Sequence, residues 1–257
     1  MTGAAGASPA AGGPEAFWAS QDHAPPAQFA EGRKAAIGRL ASDCAFAVEM
    51  VGWLEEPGLL PEEAANLGNV APIRRQEFAA GRRCARLALA RLGIPIFPLL
   101  RGPNREPLWP EGISGSITHC RGYAAAVAAP REQIATIGID AEPHEALPNG
   151  VFPMVALPAE VSQIAAAAGA GLHWGRLLFS IKESVYKAWF PLARDWLGFK
   201  DAHVTIAPGV DASSGVFEAR LLVKGPMLHG RTIERFAGRY SVESQRILTV
   251  AMPVWRD

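Results

Sequence analysis

The chain has few cysteines, few lysines and no excess of charge of either sign. Its 257 residues include three widely spaced cysteines, Cys44, Cys84 and Cys120. They supply neither a disulfide framework nor a CxxC metal knuckle, so a reducing compartment is expected. The net charge at pH 7 is zero, which argues against a protein that binds nucleic acid mainly through bulk positive charge. Because the chain has only five lysines against twenty arginines, a lysine within a motif is a candidate functional residue.

Several familiar sequence signals are also absent. No apolar run approaches the roughly 18 residues that a membrane span needs. No lysine or arginine precedes Arg33, and no apolar segment of the secretory type is present. We therefore expect a cytoplasmic protein that does not partner a membrane. The chain has no Walker A, GxSxG or HExxH motif, which leaves P-loop NTPase, serine hydrolase and zinc protease functions without support.

Composition and patterning divide the chain into a tail and two halves. Residues 1–40 are rich in Ala, Gly, Pro and Ser and are predicted to be disordered. The pattern of predicted helices and strands is interrupted around residues 143–153. This break predicts an N-terminal half at 41–145 and a C-terminal half at 146–257.

The same patterning predicts the main helices and strands. Strands are expected near 45–50, 114–119, 136–142, 203–207, 216–223 and 246–252, and helices near 62–67, 74–92, 158–168 and 172–190. Residues 123–129, which are rich in alanine, fit either a strand or a buried helix. Since helices and strands mix without strict βαβ alternation, the expected fold class is α+β rather than a doubly wound sheet.

Charged residues on a predicted strand and a predicted helix have the pattern of a metal and phosphate site. Alternation puts Asp140 and Glu142 on one side of a strand end. Glu183 and Lys187 lie one turn apart on an apolar helix, with Lys182 beside them. Two carboxylates about 4 Å apart repel by roughly 4 kcal/mol at an effective dielectric near 20. If the segments meet, the three carboxylates favour a divalent cation, and oxygen ligands favour Mg²⁺ over zinc.

Each of these patterns also has an ordinary interpretation. The two carboxylates at the strand end are typical of a solvated edge, and an i, i+4 pair on a helix contributes a few tenths of a kcal/mol. The large apolar neighbours of Glu183, such as Phe179, Ile181 and Trp189, indicate a mostly buried helix. Since charges on a buried helix need partners, the functional interpretation is favoured there.

A basic stripe and one histidine complete the candidate set. Arg74, Arg82 and Arg86 fall on one predicted helix, which is typical of a solvated face, of nucleic-acid binding or of a phosphate-binding face. Guanidinium groups bind phosphate oxygens in a bidentate way, which would suit a group such as the 3′-phosphate of CoA. His119 lies among glycine and small hydroxyl residues, which leave backbone room for an anion.

Four motifs in this order resemble those of the 4′-phosphopantetheinyl transferase superfamily, specifically its larger surfactin- and enterobactin-synthetase type. They are residues 82–86 (RRCAR), 109–123 (WPEGISGSITHCRGY), 137–143 (IGIDAEP) and 179–187 (FSIKESVYK). The resemblance covers roughly residues 45–255. It implies a pseudo-twofold α+β monomer of two similar halves, with CoA in the cleft between them.

The resemblance also implies roles for individual residues. Asp140, Glu142 and Glu183 would hold Mg²⁺ against the CoA pyrophosphate, with Mn²⁺ as a substitute. Glu183, Lys187 and Lys182 would be catalytic. The residues implied to bind CoA are Arg74, Arg82, Arg101, Ser116, Thr118, His119, Lys182 and Lys187. Arg101 stands where relatives often carry lysine, a change that keeps the charge but alters the geometry of phosphate binding.

The implied reaction moves the phosphopantetheine arm of CoA to a serine of an apo acyl or peptidyl carrier protein and releases adenosine 3′,5′-bisphosphate. The implied partners are CoA and these carrier domains. Two alternatives stay open at this stage, a Mg²⁺-dependent phosphohydrolase and a non-enzymatic CoA-binding module. The His119 motif and the basic stripe are not explained by a phosphohydrolase, and the carboxylate cluster is not explained by a module that binds through basic residues.

Overall fold

The structure, a computed structural model, describes residues 26–52, 54, 58–167 and 171–255. The helices are α1 (Ala36–Leu40), α2 (Pro61–Leu67), α3 (Pro72–Arg91), α4 (Phe152–Val155), α5 (Pro158–Ala167) and α6 (Trp174–Ala193). The strands are β1 (Gln28–Glu31), β2 (Phe46–Val51), β3 (Ile113–Cys120), β4 (Tyr123–Pro130), β5 (Gly138–Pro143), β6 (Ala202–Pro208), β7 (Ser214–Leu221), β8 (Met227–Leu228), β9 (Arg231–Thr232), β10 (Arg235–Glu243) and β11 (Arg246–Val254). The mixture confirms the α+β fold class. The pseudo-twofold relation stays a prediction.

Two antiparallel sheets organise the described residues. The first has four strands in the order β1-β2-β4-β3, and the second has five in the order β5-β11-β10-β7-β6. The long helix α3 packs on the first sheet, and the long helix α6 packs on β5 and β11 of the second. Helices α2, α3 and α5 each begin at a proline, whose fixed φ and missing N–H suit the first turn.

Most predicted elements are confirmed, one open alternative is decided, and the structure differs from the predictions at the N-terminal segment, at β5 and at β10. Residues 123–129 are strand, as part of β4. The predicted disordered tail is wrong for residues 28–40, which form β1, a 3₁₀ turn and α1, while residues 1–25 lie outside the described part. The range predicted for the N-terminal half includes β5, but β5 pairs with β11 and so belongs to the second sheet. Strand β10 had no counterpart among the predicted elements.

Helix α1 shows why the N-terminal segment 28–40 is ordered. Ile37 is fully buried in a cluster that also contains Ala125 and Val127 of the first sheet and Leu248 and Val250 of the second. An alanine-rich segment can therefore be ordered when two sheets already supply an apolar surface for it. No helix among the described residues has both the length and the apolar character needed to cross a membrane.

The two sheets meet where the edge strand β3 lies against the edge strand β5. Ser116 Oγ accepts the N–H of Ile139 at 3.1 Å, and Thr118 Oγ1 accepts the N–H of Ala141 at 2.9 Å. Side-chain hydroxyls of one edge thus satisfy backbone donors of the other, which would be costly to bury unpaired. We call this set of contacts the β3–β5 junction.

Gly138 explains how closely α6 approaches β5. A Cβ at this position would lie 1.9 Å from the carbonyl oxygen of Ser184, which is backbone of α6. Only glycine allows the helix to pack at this distance. The close approach places the α6 turn that carries Glu183 and Lys187 beside Asp140.

The β3–β5 junction predicts the effect of removing one hydroxyl. We expect Thr118→Val to lower the free energy of unfolding by about 1–3 kcal/mol, because the N–H of Ala141 loses its acceptor. Urea unfolding measures this change. Thr205→Val, the same substitution on an exposed strand position, is the control and should shift stability by no more than about 0.5 kcal/mol. Equal effects of the two variants would contradict the proposed importance of the junction.

Candidate active site

A cleft of about 320 Å³ lies between the two halves. Its walls come from α3, the segment around residue 101, β3 and α6. Of the residues predicted to bind a ligand or act in catalysis, it is lined by Arg74, Arg82, Arg101, Ser116, His119, Glu183 and Lys187. The cleft therefore brings together most of the set that the sequence indicated.

Arginines of α3 form the first wall of the cleft. Arg82 is buried, its Nε donates to the carbonyl oxygen of Leu99 at 2.7 Å, and its guanidinium stacks 4.0 Å from the centre of the Phe78 ring. Its Nη2 is buried and has no hydrogen-bond partner among the described residues. Burial lowers the pKa of Arg82 to about 10, and the neighbouring arginines add to this shift, although the charge of Glu63 opposes it. A buried cation with an unused donor is suited to an anion.

His119 extends this wall from β3. Arg74 Nη1 lies 2.8 Å from His119 Nε2, and Glu77 Oε2 lies 3.7 Å from His119 Nδ1. Burial, and then the charges of Arg74, Lys187 and Arg82, lower the pKa of His119 to about 3. The imidazole is therefore neutral at pH 7, with Nε2 accepting from Arg74. It can orient the guanidinium of Arg74 without adding a charge of its own.

Arg101 reaches the same wall but is held by its own neighbours. Its Nη2 donates to the carbonyl oxygens of Asn66 at 2.7 Å and Leu67 at 3.1 Å, both at the end of α2. Asn66 Oδ1 in turn accepts the backbone N–H of Arg101 at 2.7 Å. The side chain therefore has a fixed direction at the edge of the cleft.

Glu183 and Lys187 of α6 line the opposite wall, which we call the acidic wall. Asp140 supports it through Lys187, but neither Asp140 nor Glu142 lines the cleft itself. Asp140 is 4% exposed, and Lys187 Nζ donates to its Oδ1 at 2.7 Å. Ser180 Oγ donates to Asp140 Oδ2 at 2.8 Å, and Thr118 Oγ1 lies 3.3 Å from Oδ1. Thr118 thus belongs to the junction and to the support of Asp140. The resemblance implied that Thr118 binds CoA, but Thr118 does not line the cleft.

The two glutamates lie within the electrostatic influence of Asp140. Burial, and then the charge of Asp140, raise the pKa of Glu142 to about 7, although Arg176 Nη1 donates to Glu142 Oε2 at 2.8 Å. The same two causes raise the pKa of Glu183, which lines the cleft. Each glutamate is thus less stable as an anion than in water, which is a condition that a divalent cation would relieve.

The fit of this set to a metal ion can be judged from its chemistry and its geometry. All three donors are carboxylates, which suits Mg²⁺. Within the described residues, however, no group of three or more His, Cys, Asp or Glu side chains is arranged closely enough to hold a metal. Lys187 and Arg176 instead neutralise Asp140 and Glu142. The donor set fits Mg²⁺ in chemical type. If the ion binds here, Asp140 would contact both Lys187 and the metal, and Glu142 would contact both Arg176 and the metal.

Lys182 does not reach the main cleft, which corrects the role implied for it. It is 4% exposed, and its Nζ donates to Glu160 Oε2 at 2.8 Å and to the carbonyl oxygens of Val155 at 2.9 Å and Phe199 at 2.6 Å. An ammonium has three donors, and all three are used. The side chain borders a separate cavity of about 60 Å³. The predictions from the sequence did not single out Glu160, the carboxylate that holds it.

Several further residues line the cleft without having been predicted. Tyr186 borders both the main cleft and the smaller cavity, and Trp109 lies against Gly115. Arg105, Glu106 and Arg194 stand on the lining as well. Tyr186 and Trp109 belong to the motifs at 179–187 and 109–123, whereas Arg105, Glu106 and Arg194 lie outside the four motifs and had no sequence signal.

Comparison with known proteins decides the family. The sequence profile of the 4′-phosphopantetheinyl transferase N-terminal domain matches residues 62–129, and that of the 4′-phosphopantetheinyl transferase superfamily matches residues 136–232. The chain is 47% identical over 199 residues to 4′-phosphopantetheinyl transferase PptT of Mycobacterium tuberculosis, covering 77% of this chain and 88% of the relative. This chain belongs to the 4′-phosphopantetheinyl transferase superfamily.

Two further relatives show how far the similarity extends. With 4′-phosphopantetheinyl transferase Svp of Streptomyces mobaraensis the chain shares 48% identity over 193 residues, covering 74% of this chain and 77% of the relative. With enterobactin synthase component D of Salmonella typhi it shares 36% over 137 residues, covering 51% of this chain and 55% of the relative. The superfamily resemblance seen in the motifs is thereby confirmed, and the chain is an enzyme of the 4′-phosphopantetheinyl transferase class.

The contacts of Lys182 predict a structural cost for its removal. We expect Lys182→Met to lower the free energy of unfolding by about 3–5 kcal/mol, because the buried Glu160 carboxylate is left without its cation. Lys187→Met is the matched variant and should cost less, since its side chain is 27% exposed and Asp140 keeps Ser180 and Thr118. Urea unfolding of both variants makes the comparison, and a Lys182→Met protein as stable as wild type would refute the assignment.

Proposed function

We propose that this chain transfers the 4′-phosphopantetheine arm of CoA to a serine hydroxyl of an apo acyl or peptidyl carrier protein and releases adenosine 3′,5′-bisphosphate, in a Mg²⁺-dependent reaction. The observation that carries the proposal is a single cleft with arginines on one wall and Glu183 beside Lys187 on the other. CoA has a terminal phosphate and a pyrophosphate, which match these two walls in charge and in chemistry.

The arginine wall is suited to the 3′-phosphate of CoA. The unused Nη2 of Arg82 would gain a charge-assisted hydrogen bond, and Arg74 would supply a second donor from the same helix. His119 holds Arg74, and Arg101 adds positive charge at the edge. Ser116 lines the same wall, although its Oγ is already committed to the β3–β5 junction.

The second wall is suited to the chemistry at the pyrophosphate. The serine oxygen attacks the phosphorus that carries the pantetheine arm, a new P–O bond forms, and the P–O bond to adenosine 3′,5′-bisphosphate breaks. Glu183 or a water molecule accepts the serine proton, because a carboxylate that holds a metal ion is a poor base, and Lys187 offsets the negative charge of the leaving group. The reaction therefore depends mainly on positioning and on charge neutralisation.

Asp140, Glu142 and Glu183 would hold the magnesium ion, for which Mn²⁺ would substitute. When bound, Mg²⁺ supplies charge neutralisation and polarisation at the pyrophosphate. Two supports for this part of the proposal are the oxygen-only donor set and the raised pKa values of both glutamates. Lys182 is left out of the proposal, because its three donors are already used.

The proposed carrier partners follow from the names of the relatives. By its name, enterobactin synthase component D is part of a synthase, which supports carrier domains of nonribosomal peptide or polyketide biosynthesis as substrates of this chain. We propose that the enzyme acts in the cytoplasm as a monomer, without nucleic acid or a membrane as partner.

The first prediction of this proposal concerns the reaction itself. Incubation of an apo carrier protein with this enzyme, CoA and MgCl₂ should add one phosphopantetheine to the carrier, which is about 340 Da by the chemistry of the group. Intact mass spectrometry detects the shift, EDTA should abolish it, and MnCl₂ should restore it. Steady CoA breakdown without carrier modification would indicate a phosphohydrolase. CoA binding without any turnover, across several carriers, would indicate a binding module.

The second prediction concerns His119. We expect His119→Ala to raise the KM for CoA about tenfold while kcat changes little, because the imidazole orients Arg74 in the ground state and in the transition state alike. Initial rates at varied CoA give both constants. An unchanged KM would make His119 a structural residue only.

A further inference from the structure

One short sequence pattern occurs twice in the chain and has the same structural role each time. Residues 60–66 read LPEEAAN and residues 157–163 read LPAEVSQ, so leucine, proline, glutamate and an amide side chain recur at the same spacing. The first copy begins α2 and the second begins α5. In each copy the glutamate is among the most buried carboxylates, Glu63 at 0% and Glu160 at 1% exposure.

The first copy holds the segment that leads to Arg101. Glu63 Oε2 accepts the N–H of Leu60 at 3.1 Å, and its Oε1 accepts the N–H of Leu99 at 3.1 Å. Asn66 Oδ1 accepts the N–H of Arg101 at 2.7 Å. The charge of Glu63 is balanced by Arg86 of α3. We call this set the first clamp.

The second copy repeats these contacts one by one. Glu160 Oε2 accepts the N–H of Leu157 at 2.7 Å, and its Oε1 accepts the N–H of Val204 at 2.7 Å. Gln163 Oε1 accepts the N–H of Ile206 at 3.1 Å. The charge of Glu160 is balanced by Lys182 of α6 at 2.8 Å. This set is the second clamp.

Each clamp ties an extended segment to the long helix that supplies one wall of the cleft. Arg86 is one turn from Arg82, and Arg82 Nε also donates to Leu99, the residue that Glu63 holds. Lys182 directly precedes Glu183 on α6 and also donates to the carbonyl oxygen of Phe199. The first clamp therefore supports the arginine wall, and the second supports the acidic wall.

We propose that Glu160 is a positioning residue of the transfer reaction, which acts through Lys182 on the direction of Glu183, and that Glu63 is its counterpart for the binding of CoA. The inference rests on the proposed function, since it assigns the two walls to different steps. It also gives Lys182 a role that agrees with its contacts: it is the cation of the second clamp, and it has no donor left for a phosphate.

The matched pair Glu160→Gln and Glu63→Gln tests this assignment. Glutamine keeps the shape and one acceptor oxygen of glutamate. It removes the negative charge that balances the buried cation, which is Lys182 or Arg86. We expect Glu160→Gln to lower kcat about tenfold with the Kd for CoA within about twofold of wild type. We expect Glu63→Gln to raise the Kd for CoA about tenfold, with kcat at saturating CoA within about threefold. Carrier mass spectrometry gives kcat, and calorimetry gives the Kd.

A measurement that does not depend on turnover keeps the test decisive. Amide hydrogen exchange in residues 182–187 should become faster in Glu160→Gln and stay unchanged in Glu63→Gln, because only the former loosens this turn of α6. If Glu160→Gln does not fold, Glu160→Asp is used, which keeps the charge but withdraws the carboxylate. Lowered melting temperatures with unchanged kcat and Kd would overturn the positioning role, as would the same kinetic defect in both variants.

Failure of the proposed function would be recognised separately. If the wild-type enzyme binds CoA but modifies no carrier, the transfer proposal fails. The clamp assignment is then judged on the Kd for CoA and on hydrogen exchange. It survives if Glu63→Gln alone weakens CoA binding and Glu160→Gln alone loosens residues 182–187, and it fails on any other pattern.

Discussion

The β3–β5 junction is the constraint on which the rest of the site depends. Two edge strands from different sheets meet without a regular ladder, and the hydroxyls of Ser116 and Thr118 take the place of backbone acceptors. Thr118 also contacts Asp140, so a residue of the first half supports the central carboxylate of the second. Because His119 directly follows Thr118 on β3, the same strand sets the separation between the arginine wall and the acidic wall.

The two walls of the cleft differ in charge, since one carries cations and the other carries carboxylates. The arginine wall buries Arg82, and one donor of this cation has no hydrogen-bond partner among the described residues, so the wall favours an anion as ligand. The acidic wall gathers carboxylates at the cost of raised pKa values, and Lys187 offsets that cost through Asp140. On the proposed function, the terminal phosphate of CoA would contact the arginine wall and its pyrophosphate the acidic wall. The buried ion pairs behind the cleft, Glu63 with Arg86 and Glu160 with Lys182, keep the long helices in place.

Local patterns predicted much of this structure, and long-range contacts explain the rest. The α+β class, the two long helices α3 and α6 and the approach of Asp140 to Glu183 could all be expected from the sequence. The side of α6 that carries Lys182 could not, because neighbouring residues on a helix point about 100° apart and only packing decides which one meets the cleft. Residues 28–40 are ordered because Ile37 packs in a cluster of residues from both sheets. Amino-acid composition alone does not reveal this contact. The two clamps were visible as a repeated pattern, but their meaning required the contacts of Leu99 and Val204.

The most direct test of the account is a crystal structure of this enzyme with CoA and Mg²⁺. The account predicts the 3′-phosphate of CoA against Arg74 and Arg82, the pyrophosphate beside Lys187, and the metal bound by Asp140, Glu142 and Glu183. It also predicts that Lys182 keeps its contact with Glu160 in the complex. CoA bound outside the cleft, or Lys182 turned to a phosphate, would contradict the division of the site into two walls with separate supports.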